Sequence, residues 1–332
     1  MNGLSTRRSE AYFLKWKIIF FLGLCVVCGA FYYATIEAEY IWRWNRVPQY
    51  FAFQDDVEIR AEIEGRVASI NTAGKEAVVI VEGDGTSEEY RIPAASVRMY
   101  EGDRVHMGDV VGTYKEWKVG LLLHGLWLTI QVSIMGIALG IALGLFTGLA
   151  RISSNPALKW TAVSYIEIIR GTPLLVQIMI WYFVIGTLVN NLLVQAGLPE
   201  IPSLFYGVLS LAIFAGAYVA EIVRAGIQSI PTGQMEAARS LGMSHAQAMR
   251  KIVLPQAFKR ILPPLAGQFI SLIKDSSLLG IIAIRELTKA TREAVSSSLM
   301  PYELWIICGI LYLIITFALS LFVQYLERRT VQ

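Results

Sequence analysis

The stretch SIPTGQMEAARSLGMSHAQAMRKIVLP, Ser229 to Pro255, decides how the chain is read, because it is a polar segment held between two apolar runs, Leu204 to Ala220 and Ile261 to Ile284. Taken locally, it spells helix, break, helix. Pro231 and Thr232 suit a helix start, Gly242 is the residue expected just past a helix end, and Ser244 with Gln247 makes a capping box for the next helix. Pro255 is expected to limit how far that second helix runs regularly. A helical hairpin too polar to insert, yet anchored by apolar runs on both sides, must lie against a membrane surface or another protein. Ala237, Ala238 and Gly242 keep one surface thin enough to enter a partner groove, with Glu236 and Arg239 at its edge. The alternative is a plain interfacial loop whose Lys and Arg residues are headgroup anchors.

The flanking runs belong to a wider pattern. With 332 residues and a mean hydropathy of +0.52, the chain has more apolar length than one soluble core buries. Charged residues are 17% of the total and fall between the runs. A hydrocarbon slab ~30 Å thick takes about 20 helical residues to cross, since unpaired backbone groups are costly in lipid. Six runs qualify: Ile18 to Ile36, Leu121 to Leu149, Gly171 to Val189, Leu204 to Ala220, Ile261 to Ile284 and Trp305 to Tyr325. Arg7, Arg8, Lys15 and Lys17 precede the first and hold that flank in the cytoplasm by the positive-inside rule. The run reads as an uncleaved anchor, with a cleaved signal peptide as the alternative. Alternation then places Arg151 to Lys159, Arg224 to Arg260, and the tail with Arg328 and Arg329 in the cytoplasm.

Between the first two runs the chemistry changes. The net charge of +3 is too small and too scattered to suggest nucleic-acid binding, and the segment from Glu37 to Lys118, with ten basic and sixteen acidic residues, is expected to be translocated as its flanking helices require. Short apolar runs, Ala77 to Val81 and Arg91-Ile-Pro, are punctuated by Gly65, Gly74, Gly83-Asp84-Gly85, Gly102-Asp103 and Gly108-Asp109, the marks of tight β-turns. Tyr90 to Val111 resembles the lipoyl-type barrel-sandwich pattern, without a lysine at a hairpin tip for lipoyl or biotinyl attachment. The expected organisation is therefore an anchor over 1–39, a β-rich extracytoplasmic insert over 40–118, and a helical core over 119–332 with a cytoplasmic loop at 229–258.

Glu236-Ala237-Ala238, three residues, Gly242, nine residues, Ile252, one residue, then Leu254-Pro255 resembles the EAA loop of ABC importer permeases in identity and spacing. The segments Glu167 to Gln177, containing Arg170-Gly171-Thr172-Pro173, and Phe269 to Leu278, containing Lys274-Asp275-Ser276-Ser277, resemble the polar amino-acid branch of that family. The resemblance implies an all-α polytopic fold of six spans, five forming the permease core, with a small inserted β domain. It implies that Glu236, Ala237, Ala238, Arg239, Gly242, Leu254 and Pro255 form a coupling loop seated in a cytoplasmic ATPase subunit. The implied partners also include a second permease subunit, the same or related, an extracytoplasmic solute-binding protein and the lipid bilayer, in a bacterial-type inner membrane.

Charged groups inside spans are costly, about 2.5 to 3.5 kcal/mol on insertion scales, so they should face a cavity or a partner. Lys274 and Asp275 are adjacent and cannot point the same way on a helix; with Thr172 and Ser276 they are candidates for a solute path. Glu167 and Arg170, three apart, are expected as an ion pair or gate, as are Glu221 and Arg224. Gly136, Gly140, Gly144 and Gly148 form a thin stripe suited to close helix packing. No P-loop is present, so ATP must be hydrolysed on another subunit. Cys25, Cys28 and Cys308 lie in apolar runs, and His106, His124 and His245 stand apart, so no cofactor, metal site or catalytic residue is expected. The readings set against the importer subunit are an ATP-independent channel or ion-coupled carrier, and a membrane-anchored adaptor built on the barrel-sandwich-like segment.

Overall fold

The computed structural model describes residues 10–83 and 85–331, with side chains placed for 12–83 and 85–325. Arg7, Arg8, Asp84 and the side chains of Arg328 and Arg329 lie outside the described residues. The chain divides into two compact units, Met1–Asn45 and Arg46–Gln332.

In the first unit, α1 (Glu10–Glu37) is one unbroken apolar helix. After it, Trp42 stacks on Trp44 with ring centres 5.6 Å apart and donates its indole N–H to Thr35 Oγ1 at 3.0 Å.

The second unit opens with six strands: β1 (Ala52–Arg60), β2 (Gly65–Ala73), β3 (Glu76–Gly83), β4 (Thr86–Pro93), β5 (Arg104–Val105) and β6 (Val110–Val119). β1 and β6 form an antiparallel ribbon, while the other four form a sheet in the order β4-β3-β2-β5. Alternating residues, among them Val67, Val79, Val81, Tyr90, Ile92, Val105 and Val111, turn inward to make a small core of their own. Its turns demand glycine where φ is positive: Gly102 and Gly108 sit at +91° and +94°. Tyr90 donates to Glu88 and accepts from the Glu62 amide, and burial pushes its phenol up from its ordinary pKa.

From Gly120 onward the chain is helical: α2 (Leu121–Arg151), α3 (Pro156–Gly171), α4 (Leu174–Met179), a π segment (Ile180–Gly186), α5 (Thr187–Gln195) and α6 (Ser203–Gln228). These are followed by α7 (Thr232–Ser240), α8 (His245–Ala248), a π segment (Met249–Val253), α9 (Leu254–Asp275), α10 (Leu287–Ser298) and α11 (Pro301–Val331). Among the described residues six helical stretches are long and apolar enough to cross a membrane: 12–37, 121–151, 174–195, 203–228, 245–282 and 301–325. The third starts later than its apolar run because Pro173 removes an N–H and forces Thr172 extended, at φ −118° and ψ 144°, which separates α3 from α4.

α6 is the central element. Val208, Leu211, Ala215, Val219 and Val223 on it join Val132 and Ile137 of α2, Ile178 of α4, and Ala257, Ile261 and Leu272 of α9 in the main core. The glycine stripe of α2 lies against it: a Cβ on Gly136 would meet Leu211, on Gly140 Ala215, on Gly144 Val219 and on Gly148 Val223. A second cluster joins Val47 and Leu122 to Leu287, Met300 and Leu304, so the lead into β1 is packed on the α10 end of the bundle. There Glu286, fully buried, caps α10 by accepting from the amides of Thr288 (2.7 Å) and Lys289 (2.8 Å) and from Tyr312 (3.0 Å).

Candidate functional site

The elbow from α7 to α9 is shaped by local chemistry. α7 closes in a Schellman turn: the Met243 amide donates to Ala238 O at 3.2 Å, the Gly242 amide to Arg239 O at 3.0 Å, and Gly242 takes φ +84°. Two residues on, Ser244 Oγ accepts from the Gln247 amide at 3.2 Å, and Gln247 Oε1 accepts from the Ser244 amide at 2.9 Å. This capping box starts α8 and fixes the angle of the bend.

Pro255 limits the regular run of the second helix without ending it. It has no N–H for the carbonyl four residues back, and the chain accommodates that with the π segment just before α9, where Pro255 occupies the first turn. Helical structure therefore continues from the elbow through the π segment and α9.

Side-chain placement divides the elbow into two faces. Ala238 (4% exposed) and Ala248 (0%) face inward, with Met235, Met249 and Val253 against the main core. Glu236, Ala237, Arg239 and Gly242 are exposed, and Leu241 at the tip is 84% exposed. The expectation that Ala238 contributes to a partner surface is thus corrected: its small side chain lets α7 sit close to the bundle. Leu254 is half-buried and Pro255 exposed. Gln256 donates to Gln234 Oε1 at 3.3 Å and Arg260 to Ser229 O at 2.5 Å, tying α9 to the start of the elbow.

Sequence reasoning missed Leu241. A large apolar residue beside the turn glycine of a polar segment is the signal that could have found it.

Beside the elbow, the ends of α2, α3 and α6 converge. Arg151 pairs with Glu221, which also accepts from Arg224 Nη2 at 2.8 Å and Nε at 3.1 Å. Arg224 in turn donates to Gln228 Oε1 at 2.5 Å. Glu167 and Arg170 do not pair with each other. Glu167 faces Arg151 at 4.0 Å, and the Arg170 guanidinium lies over the Tyr218 ring, 5.4 Å from its centre. The correction has a plain cause: three-residue spacing permits a pair, but Arg151 and Tyr218 reach these side chains from other helices.

Of the other candidates for a solute path, Thr172 Oγ1 is taken up locally. It donates to Ile168 O at 2.9 Å and accepts from Gln177 Nε2 at 2.8 Å, and Gln177 also donates to Ile169 O at 2.7 Å. These bonds satisfy carbonyls freed by the α3–α4 break, so Thr172 serves the break. Ser276 is fully buried and donates to Ile273 O at 2.7 Å, closing the end of α9. Lys274 is exposed and Asp275 half-buried, and among the described residues neither side chain forms a hydrogen bond or ion pair. An exposed lysine at the end of an apolar span needs water or a partner beside it.

The chain matches the family of binding-protein-dependent transport system inner membrane components over residues 140–332. It is 38% identical over 209 residues to the probable glutamine ABC transporter permease protein GlnM of Bacillus subtilis (strain 168), covering 63% of this chain and 93% of that protein. It is 38% identical over 211 residues to the glutamine transport system permease protein GlnP of Escherichia coli (strain K12), with 64% and 93% covered. Among solved structures it is similar to an amino acid ABC transporter crystallised with histidines, at 42% identity and a TM-score of 0.56, over 63% of this chain and 94% of that one. The chain belongs to the binding-protein-dependent transport system inner membrane component family. It is a transport subunit of a multi-span membrane protein, not an enzyme.

Proposed function

We propose that this chain is the permease subunit of an ATP-driven importer of polar amino acids, worked by separate ATPase subunits that seat on the α7–α8 elbow. The observation that carries the reading is the two-faced elbow. Ala238, Ala248, Met235 and Met249 hold it to the bundle, while Glu236, Ala237, Arg239, Leu241 and Gly242 form a thin exposed tip joined through Pro255 to the continuous helix α9. The substrate class follows the relatives, whose names give glutamine and, for a Bacillus subtilis protein 38% identical, L-cystine.

In this reading α1 leaves the cytoplasm, the strands β1 to β6 stand outside the membrane, and the elbow and both termini face the cytoplasm. Closure of two ATPase subunits pulls the elbows of two permease subunits, and α9 carries the stroke into the bilayer as a rigid-body movement. The Arg151–Glu221–Arg224 group, with Arg170 on Tyr218 and Glu167 beside Arg151, acts as the gate on the elbow side. Lys274 and Asp275 at the far end of α9 border the solute path. ATP binding shifts the equilibrium only because the ATPase contacts the elbow differently in the two states.

The test is reconstitution into proteoliposomes with an ATPase subunit and a solute-binding protein. Glutamine uptake that requires both ATP and binding protein supports the reading. Flux at the same rate without ATP refutes it and favours a channel or ion-coupled carrier.

A further inference from the structure

We propose that the groove between α2, α3 and α6, on the elbow side of the bundle, binds one anionic phospholipid, with an acyl chain in the groove and the phosphate at Lys159. The proposal goes beyond the importer reading above and stands without it. The groove encloses about 630 Å³. Leu143 and Phe146 of α2, Leu158 and Ile169 of α3, Trp181 of the first π segment and Ile213 of α6 line it. Three hydroxyls also reach its wall, and each is turned back on a backbone carbonyl. Thr147 donates to Leu143 O at 2.8 Å, Thr161 to Ala157 O at 2.9 Å and Tyr165 to Ile213 O at 2.6 Å. With those protons committed, the wall offers apolar contact, and a polar solute would leave its own donors and acceptors unpaired there.

Depth names the occupant. At one end Ala150 and Leu158 stand where Arg151 closes α2; at the other, Ile213 lies near the middle of α6 and Trp181 in the first half of the span 174–195. Between Leu158 and Ile169, α3 rises roughly 16 Å at about 1.5 Å per residue. That is close to half of a hydrocarbon slab ~30 Å thick, the length of one leaflet. Phe146 and Leu158 on the lips of the groove are exposed, so it opens sideways into the bilayer, where no water is present to fill it.

The rim names the headgroup. Lys159 is exposed in the first turn of α3, and among the described residues its ammonium has no ion pair or hydrogen bond. Beside it Trp160 is exposed too, an amphipathic ring of the kind that sits at headgroup level. The carboxylates of the neighbouring helix ends are turned elsewhere, since Glu167 and Glu221 both face Arg151. A free cation at the interface above an apolar groove suits a lipid with a negative headgroup.

The experiment exchanges the full chain into detergent holding equal amounts of phosphatidylglycerol and phosphatidylcholine and counts retained lipid by native mass spectrometry. One phosphatidylglycerol per chain should survive a detergent wash that strips phosphatidylcholine. Lys159→Glu should weaken its retention about tenfold, roughly 1.4 kcal/mol. Thr161→Phe, which fills the groove from an exposed position, should do the same, and both variants should keep the wild-type melting temperature in lipid-free detergent. Lys259→Glu makes the same charge change at an exposed site on α9 outside the groove and should leave the count as it was. Wild-type retention in both test variants overturns the proposal. So does an equal loss in Lys259→Glu, or a wild type that keeps phosphatidylcholine as well as phosphatidylglycerol. A lipid-free wild type with twice the mass of the chain assigns the groove to a second copy and also overturns it.

Discussion

Gly144→Ala tests the packing on which the helical core depends. A Cβ at that position would lie 2.5 Å from both Cβ and Cγ1 of Val219 and 2.7 Å from Gly216 O. Carbon atoms attract best at about 3.5–4.0 Å, so α2 and α6 must separate by roughly 1 Å or Val219 must leave its rotamer. Overpacking of this kind costs about 1–3 kcal/mol. For a core of this size each kcal/mol corresponds to roughly 2–4 °C in melting temperature, so a fall of about 2–12 °C is expected. The assay is size-exclusion chromatography of heated, detergent-solubilised protein. Gly309→Ala, on α11 with nothing within 4 Å of its built Cβ, should show no fall. Adding Val219→Ala to Gly144→Ala should recover part of the loss by making room for the new methyl. A Gly144→Ala protein that melts with the wild type would refute the argument that α2 sits on α6 through its glycines.

Three further outcomes follow from particular bonds. Ser244→Ala removes the side-chain half of the capping box at α8 and should cost about 0.5–2 kcal/mol locally, seen as faster amide exchange across 244–248 with the rest of the chain unchanged. Arg151→Ala leaves Glu221 with Arg224 alone in a partly buried position, and should lower the melting temperature more than Glu221→Gln with Arg151→Ala together. Burial pushes the Glu286 carboxyl up from its ordinary pKa, so folding favours its protonated form. That contribution is complete below the ordinary carboxylate pKa and is lost as pH rises through the folded value. Glu286→Gln does not titrate, so the wild type should lose stability relative to this variant as pH is raised, and a constant difference from pH 4 to pH 8 would contradict the sign.

What was legible in the sequence was whatever is decided within a few residues. The Gly242 turn, the Ser244–Gln247 box and the break at Pro173 are local consequences of backbone chemistry, and the apolar runs follow from the thickness of a bilayer. The regular spacing of Gly136, Gly140, Gly144 and Gly148 also announced a packing face, though not that α6 fills it. Pairings across helices were hidden. Nothing near Glu167 or Arg170 in the chain says that Arg151 and Tyr218 will reach them first. Ala238 and Ala237 are identical as letters, and only the way α7 seats on Met235 and Met249 sends one inward and the other out. Pro255 announced an irregularity in the second helix, but not that a π turn would absorb it and let the helix continue.

The role of the elbow is tested most directly by solute-stimulated ATP hydrolysis in the reconstituted complex, comparing wild type with Glu236→Lys and with Gly242→Leu. The first reverses a charge on the exposed tip, and the second forces a side chain into a backbone conformation at φ +84°, a strain of about 1–2 kcal/mol at the bend. Both proteins should insert and fold, and both should lose stimulation. Full stimulation in the two variants would contradict the claim that this elbow carries the motor's stroke into the membrane.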